Sequence, residues 1–295
     1  MGQKKCIYFN LTTLSMAAGC SIKLHSYTYY IERSQKMSKY IGYYVRLVLS
    51  VAFLISLLIY NSKDTMAAYE EGDVSNGGTI TGTVTLAGDV PEAKSSEVEK
   101  DQEACGHEPK PSEALLVSSD KNIETAIVSI TNISNGKKFN GSGENVTLDQ
   151  KGCVFIPHVL VIPPGSTIDL LNSDSVMHNL HSWSIKNSSF NEGVAGGGKL
   201  PKTFEYPETV KMTCDVHNWM TAWIIVQDNP YYAVTDANGS FQIGDVPPGT
   251  YTVQVWQESL GKATQEVTVS AGGEVKADFE LKQKKKRKRR KKKEE

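Results

Sequence analysis

The sequence predicts an all-β chain folded as two sandwich modules, and three observations carry that expectation. Short segments alternate apolar and polar residues with a period of two. Clusters of Gly, Pro, Asn and Ser separate them at short intervals. Beyond the N-terminal leader, no stretch of ten or more residues carries the 3.6-residue apolar period of an amphipathic helix.

The elements follow in chain order. "GTITGTVTLAGDVP" (78–91) sets Ile80, Gly82, Val84 and Leu86 on one face of a strand. Residues 92–114 are polar and charged and read as a loop. "IETAIVSITNI" (123–133) is a further strand, followed by the Gly/Asn/Ser loop "SNGKKFNGSGEN". From residue 146 come "VTLDQ", "CVFIPHVLVI", "STIDLLN", "HNLHSWS", "KTFEYP", "TVKMTC" and "AWIIVQD", each short enough to be one or two strands. Residues 229–281 form a second group. In it, Asn238-Gly239 between alternating segments predicts a hairpin over "AVTDANGSFQI". "DVPPGTYTVQVWQ" turns at Pro-Pro-Gly and aligns Tyr251, Val253 and Val255, and "TQEVTVSAGGEVKADFEL" adds two strands about Gly-Gly.

Length and charge bound the rest. The chain has 295 residues, room for one large domain or two small ones, with 39% hydrophobic and 22% charged residues, ordinary for a folded protein. Its formal net charge of −1 hides an asymmetry. Residues 282–293, "KQKKKRKRRKKK", hold eleven positive charges, and Glu294 and Glu295 return two, so the remaining body carries a net charge near −10. Such a tail cannot build a core.

From Met37 the chain reads as a secretory leader. Lys39 and Arg46 supply the positive start, 47–60 the apolar run, and "TMAAY" small residues for cleavage near Ala67 or Ala68. The run is fourteen residues, shorter than the ~20 of a spanning helix, and it is a membrane anchor only if left uncleaved. Residues 1–36 fit no structured element and read as a start called too early, and 37–68 as the signal peptide. The expected location is therefore periplasmic or extracellular. Removing the leader takes Cys6 and Cys20 and leaves Cys105, Cys153 and Cys214, an odd number for an exported protein. If Cys214 binds a metal, Cys105 and Cys153 can pair as a disulfide.

Residues 213–220, "TCDVHNWM", crowd a thiol, an imidazole and a thioether at intervals of three. Val210, Met212 and Cys214 alternate onto one face of a strand, so Cys214, His217 and Met220 lie on the connection to the next. His178, just beyond the "NSDS" turn, is placed to join them from a neighbouring loop. Two imidazoles and a thiolate with a weak axial thioether form the ligand set of blue copper. Structural zinc prefers Cys or His where Met220 stands, and catalytic metals prefer carboxylates and an open position. Single-electron transfer therefore fits better than turnover, and no enzyme activity is expected. Met177 and Met212 read as packing residues, His181 as pointing to the opposite face from His178, and Trp219 and Trp223 as packing around the metal end. His107 and His158 read as structural, with a second metal site of Cys105, His107, Cys153 and His158 as the alternative.

Residues 145–227 resemble the cupredoxins, small blue copper proteins of Greek-key sandwich fold. The resemblance rests on "PPGSTIDLLNSDSVMHNLHSW" and on "CDVHNWM", whose short Cys-to-Met loop is similar to that of amicyanin. It implies one type 1 copper held by His178, Cys214, His217 and Met220, and a supporting role for Asn179 in tying the two ligand loops together. "AVTDANGSFQIGDVPPGTYTVQV" resembles the carboxypeptidase-regulatory, or transthyretin-like, prealbumin-type sandwich, whose usual opening strand has the form of "GTITGTV" at 78–84. The implied organisation is a discontinuous sandwich of residues 75–140 and 229–281, a cupredoxin at 141–228 and a polybasic tail at 282–295. In this scheme the Cys105–Cys153 disulfide staples the two modules.

The functional expectation is an exported electron-transfer protein whose partners are redox proteins, some of them membrane-bound. The basic tail adds an anionic membrane surface, while nucleic acid is not an expected partner of an exported chain. The competing readings are a copper carrier or sensor, and a carbohydrate- or protein-binding module in which copper is structural.

Overall fold

A computed structural model describes residues 47–50, 69–139 and 146–283. The expected false start at 1–36, nearly all of the leader and the tail beyond Gln283 lie outside the described residues. Residues 47–50 are helical. Among the described residues no helix is long and apolar enough to cross a membrane.

From residue 69 onward the described chain is all-β apart from one helical turn, Gln102–Cys105. It builds two sandwiches, each with its own core. The first pairs a four-stranded sheet, in the order Phe155–Ile156, Thr147–Gln150, Ser166–Asn172 and Lys199–Phe204, with a five-stranded one. The latter runs Val159–Ile162, Thr221–Val226, Glu208–Thr213, His178–Trp183 and Asn191–Val194. Period-two alternation turns Ile168 and Leu170 of one sheet towards Leu180, Val210, Met212 and Ile224 of the other, all fully buried. Each such aliphatic side chain contributes about 1.5–3 kcal/mol relative to exposure.

The second sandwich draws on both ends of the described chain. One sheet runs Tyr232–Val234, Ile127–Ile130, Gly249–Gln257 and Gly261–Val269. In the other, Gly78–Ala87 lies between antiparallel Ser240–Val246 and the parallel segments Glu274–Lys276 and Phe279–Lys282. Burial in Gly78–Ala87 alternates perfectly along its ten residues. Gly82 is required there, because a Cβ would sit 2.2 Å from the Ala277 carbonyl oxygen.

Three expectations about elements need correction. The strand expected at 123–133 is two strands, Ile123–Glu124 and Ile127–Ile130, separated where Thr125 takes φ 62°. Residues 92–114 are not plain loop, since they hold the helical turn and a small ladder of Ser95–Ser96 with Lys110–Pro111. The hairpin expected over 233–243 does not form a ladder: Tyr232–Val234 pairs with Ile127–Ile130, and Ser240–Val246 pairs with Gly78–Ala87. The turn itself is present. Asp236 Oδ1 accepts from the amides of Asn238 and Ser240 at 2.9 and 2.8 Å, and Gly239 takes φ 68°. It carries the chain from one sheet to the other.

The two sandwiches meet along the His158 end of the first. His158 Nε2 bonds Glu258 there. Trp223 packs here, against Trp256, and not at the metal end where it was expected.

Candidate metal centre

The strand Glu208–Thr213 delivers Cys214 in phase with its buried residues, so the thiol enters the core, 2% exposed. The chain then folds back tightly. Met220 N–H donates to the His217 carbonyl at 2.9 Å, and Cys214 N–H to the Met220 carbonyl at 3.3 Å. This seven-residue loop holds His217 fully buried and Met220 at 1% exposure beside Cys214 in the same core. His178 opens the neighbouring strand and is also fully buried.

The structure brings His178, Cys214 and His217 together, with one donor atom from each within 4.8 Å of the others. The two Nδ1 atoms face each other at 2.8 Å, and Cys214 Sγ lies 3.8 Å from His217 Nδ1. The opposite ring edges are held by carboxylates: Asp174 Oδ2 lies 2.8 Å from His178 Nε2, and Asp101 Oδ2 lies 2.9 Å from His217 Nε2. Each Nε2 is thereby the N–H donor, and each Nδ1 points inward. Two inward nitrogens 2.8 Å apart are what a cation held between the rings would require.

The electrostatics differ between the two rings. At His178 burial opposes the charge, but Cys214 and Asp174 outweigh it and raise the imidazole above its usual value. His217 is lowered by burial and by the charge of His178, against the opposing pull of Asp101. Burial also opposes ionising Cys214. The His178 ring and the backbone amides of Asn179, His217 and Val216 prevail and bring the thiol below its usual value. The chain therefore eases ionisation of the thiol where a soft cation would sit.

Asn179 links the two loops. Its Oδ1 accepts the Asp215 amide, and its Nδ2 reaches Asn191. His181 lies on the other face, 3.0 Å from Asp215 Oδ1. Met177 is exposed and Met212 is core. Trp219 packs over His217, ring centroids 5.0 Å apart, and donates to the Cys153 carbonyl at 2.9 Å.

Cys105 and Cys153 form a disulfide, and Cys214 is the free cysteine of the described residues. The alternative second metal site of Cys105, His107, Cys153 and His158 is not assembled, because both thiols are consumed, His107 is exposed and His158 is engaged by Glu258. The residues that sequence reasoning missed are Asp101 and Asp174. Asp174 belongs to the "NSDS" turn four residues before His178, and that proximity was its one local signal.

Residues 221–282 match the family model of the carboxypeptidase regulatory-like domain. That match begins inside Thr221–Val226, a strand laddered to the metal-side sheet. Rhamnogalacturonate lyase A of Aspergillus niger is 39% identical over 62 residues, which span 21% of this chain and only 12% of the lyase. Among solved structures, the purple cupredoxin of Nitrosopumilus maritimus shares 24% identity over 28% of this chain and all of its own, with a TM-score of 0.25. Amicyanin of Paracoccus versutus shares 17% identity over 34% of this chain and 97% of its own, with a TM-score of 0.26. The chain is thus similar to a carboxypeptidase regulatory-like domain over residues 221–282 and, over about a third of its length, to cupredoxins.

Proposed function

We propose that this protein is an exported single-electron carrier with one type 1 copper at His178, Cys214, His217 and Met220. The observation that carries the reading is the donor set itself: two inward imidazole nitrogens and a thiol whose ionisation the site eases, buried together beside a thioether. Copper held by such donors would supply one-electron exchange between Cu(II) and Cu(I). The chain's own part is to limit movement during that change. Asp174 and Asp101 fix the ring planes, Asn179 ties the two loops, and the amides around Cys214 hold the sulfur. The buried side chains exclude water.

The test is the visible spectrum of the copper-loaded, oxidised protein. An intense thiolate-to-copper band is expected, and Cys214→Ser should abolish it while the fold remains. A Cys214→Ser protein that stays intensely coloured would end the reading. The leader supports export, and the redox partners and the membrane surface suggested by the basic tail belong to the same proposal.

A further inference from the structure

The disulfide sits against the imidazoles. Cys105 Sγ lies 3.9 Å from His217 Nε2, and Cys153 Sγ falls within the same 4.8 Å cluster as Asp174 and His178. Each half of the disulfide also carries one of the carboxylates that hold the rings. Asp101 opens the helical turn that ends at Cys105. It takes the left-handed conformation, φ 52°, and its carbonyl accepts the amides of Ala104 and Cys105 at 2.9 and 2.8 Å. Asp174 receives the amides of Gly152 and Cys153 at 2.6 and 2.8 Å, where two successive residues are left-handed, φ 66° and 58°. These paired amides cradle a carboxylate and aim its Oδ2 at His178.

We propose that Asp101 and Asp174 set the donor strength and retention of the bound metal, one aspartate per imidazole, and that the Cys105–Cys153 disulfide holds Asp101 in place. The inference rests on the metal reading above and names residues outside its ligand set. A carboxylate accepting from Nε2–H pushes electron density towards Nδ1, so the ring becomes a stronger donor and favours the higher charge on the metal. Asp174 needs no strap, because it lies four residues from His178 on the same turn. Asp101 does. It reaches His217 from 116 residues away in sequence, on a segment that adds Val98 and Cys105 to the core but no strand to the sheets that build the site, and its side chain is 41% exposed. The covalent link from Cys105 to Cys153, whose neighbouring amides already grip Asp174, keeps that segment over the site. His217 is accordingly sealed, and its outer edge is presented as a carboxylate.

The experiment uses the full chain loaded with copper, and in parallel with zinc, which does not change oxidation state. Asp101→Asn and Asp174→Asn keep the shape and remove the charge. Each should weaken metal retention against a chelator about 10–100-fold, and each should shift the copper reduction potential upward while the thiolate band persists. The Cys105→Ser/Cys153→Ser protein should lose affinity by the same factor as Asp101→Asn, and adding Asp101→Asn to it should cost nothing more. Wild-type affinity and potential in both aspartate variants would overturn the assignment. A fully additive loss in the combined variant would overturn the role of the disulfide. If the double serine variant does not fold, the aspartate variants still decide, since their disulfide is intact. A wild-type chain that takes up zinc but shows no thiolate-to-copper band sinks the electron-transfer reading alone, whereas unchanged aspartate variants of a coloured protein sink this one alone.

Discussion

Trp223 of the metal-side sandwich meets Trp256 of the second sandwich edge to face, with ring centroids 5.2 Å apart and planes at 72°. The pair lies beside the His158–Glu258 contact, so the junction has an aromatic part and a charged part. An aromatic pair of this geometry is worth about 0.5–1.5 kcal/mol beyond its buried area. Trp256→Leu should lower unfolding stability by at least that amount in denaturant titration. An unchanged midpoint would mean that the two sandwiches do not stabilise each other through these rings.

Met220 is buried beside Cys214, and leucine has a similar volume. Met220→Leu should therefore cost less than about 1.5 kcal/mol of stability. It should retain copper and colour and raise the reduction potential, because a donor that stabilises Cu(II) has been removed. Voltammetry of the loaded protein checks this. A lower potential would exclude Met220 as a donor to the metal.

His158 gives the junction a pH dependence. Burial opposes its charge, yet Glu258 and Glu113 prevail and raise its pKa. A raised imidazole stabilises the folded state fully below the unfolded value of about 6.5, and that stabilisation disappears as pH rises through the folded value. Glu258→Gln should thus be least stable relative to the wild type at about pH 6, with the gap closing in more alkaline solution. A gap that widens with pH would contradict the charged pairing.

Glu208 works in the opposite direction. Burial alone would raise its pKa, but the Ser184 hydroxyl, the amides of Ile185 and Asn187 and the Asn187 side chain bring it down to about 2. The amide of Lys186 donates to the same carboxylate at 3.1 Å. A depressed carboxyl contributes stability above its ordinary value, and loses it as pH falls towards 2. Glu208→Gln should be destabilised at neutral pH and match the wild type in strong acid, as read from thermal unfolding across that range.

The basic tail invites a vesicle experiment. Each Lys or Arg near an anionic membrane contributes ~1 kcal/mol, screened by salt. Binding to phosphatidylserine vesicles should fall steeply with ionic strength and vanish on deletion of 282–295, with the copper spectrum unchanged. Equal binding by the truncated chain would show that the tail is not a tether.

What was legible in the sequence was whatever a short window contains. The alternation over 78–87 and 208–213 specifies strands, and the spacing of Cys214, His217 and Met220 puts three donors on one loop. His178 was reachable because a recognisable turn precedes its strand. The Asn-Gly signal at 238–239 marked a turn correctly but not the sheets it joins, since pairing partners depend on residues far along the chain. Asp101 escaped for the same reason: its contact with His217 exists only once the 95–111 segment has folded over the site. Trp223 was misplaced because periodicity says which side of a strand a ring occupies, and not which module covers that side.

Ile130 N–H donates to the Tyr231 carbonyl at 3.0 Å. The first sandwich is therefore strung between host positions that are already in contact, and Thr131, Asn132 and Lys137 on its leading side are still bonded to Thr252 and Tyr231 of the host. Closure entropy grows only with the logarithm of loop length, about 0.6 kcal/mol for each doubling. An insert that folds into its own sandwich avoids most of even that, because its fold holds the two ends together before the host strands pair. The architecture therefore behaves as a host with a socket. Swapping the guest strands, residues 146–226, for another compact module with adjacent termini should leave the host strands free to close around it, provided that Cys105, which would lose Cys153, is replaced as well.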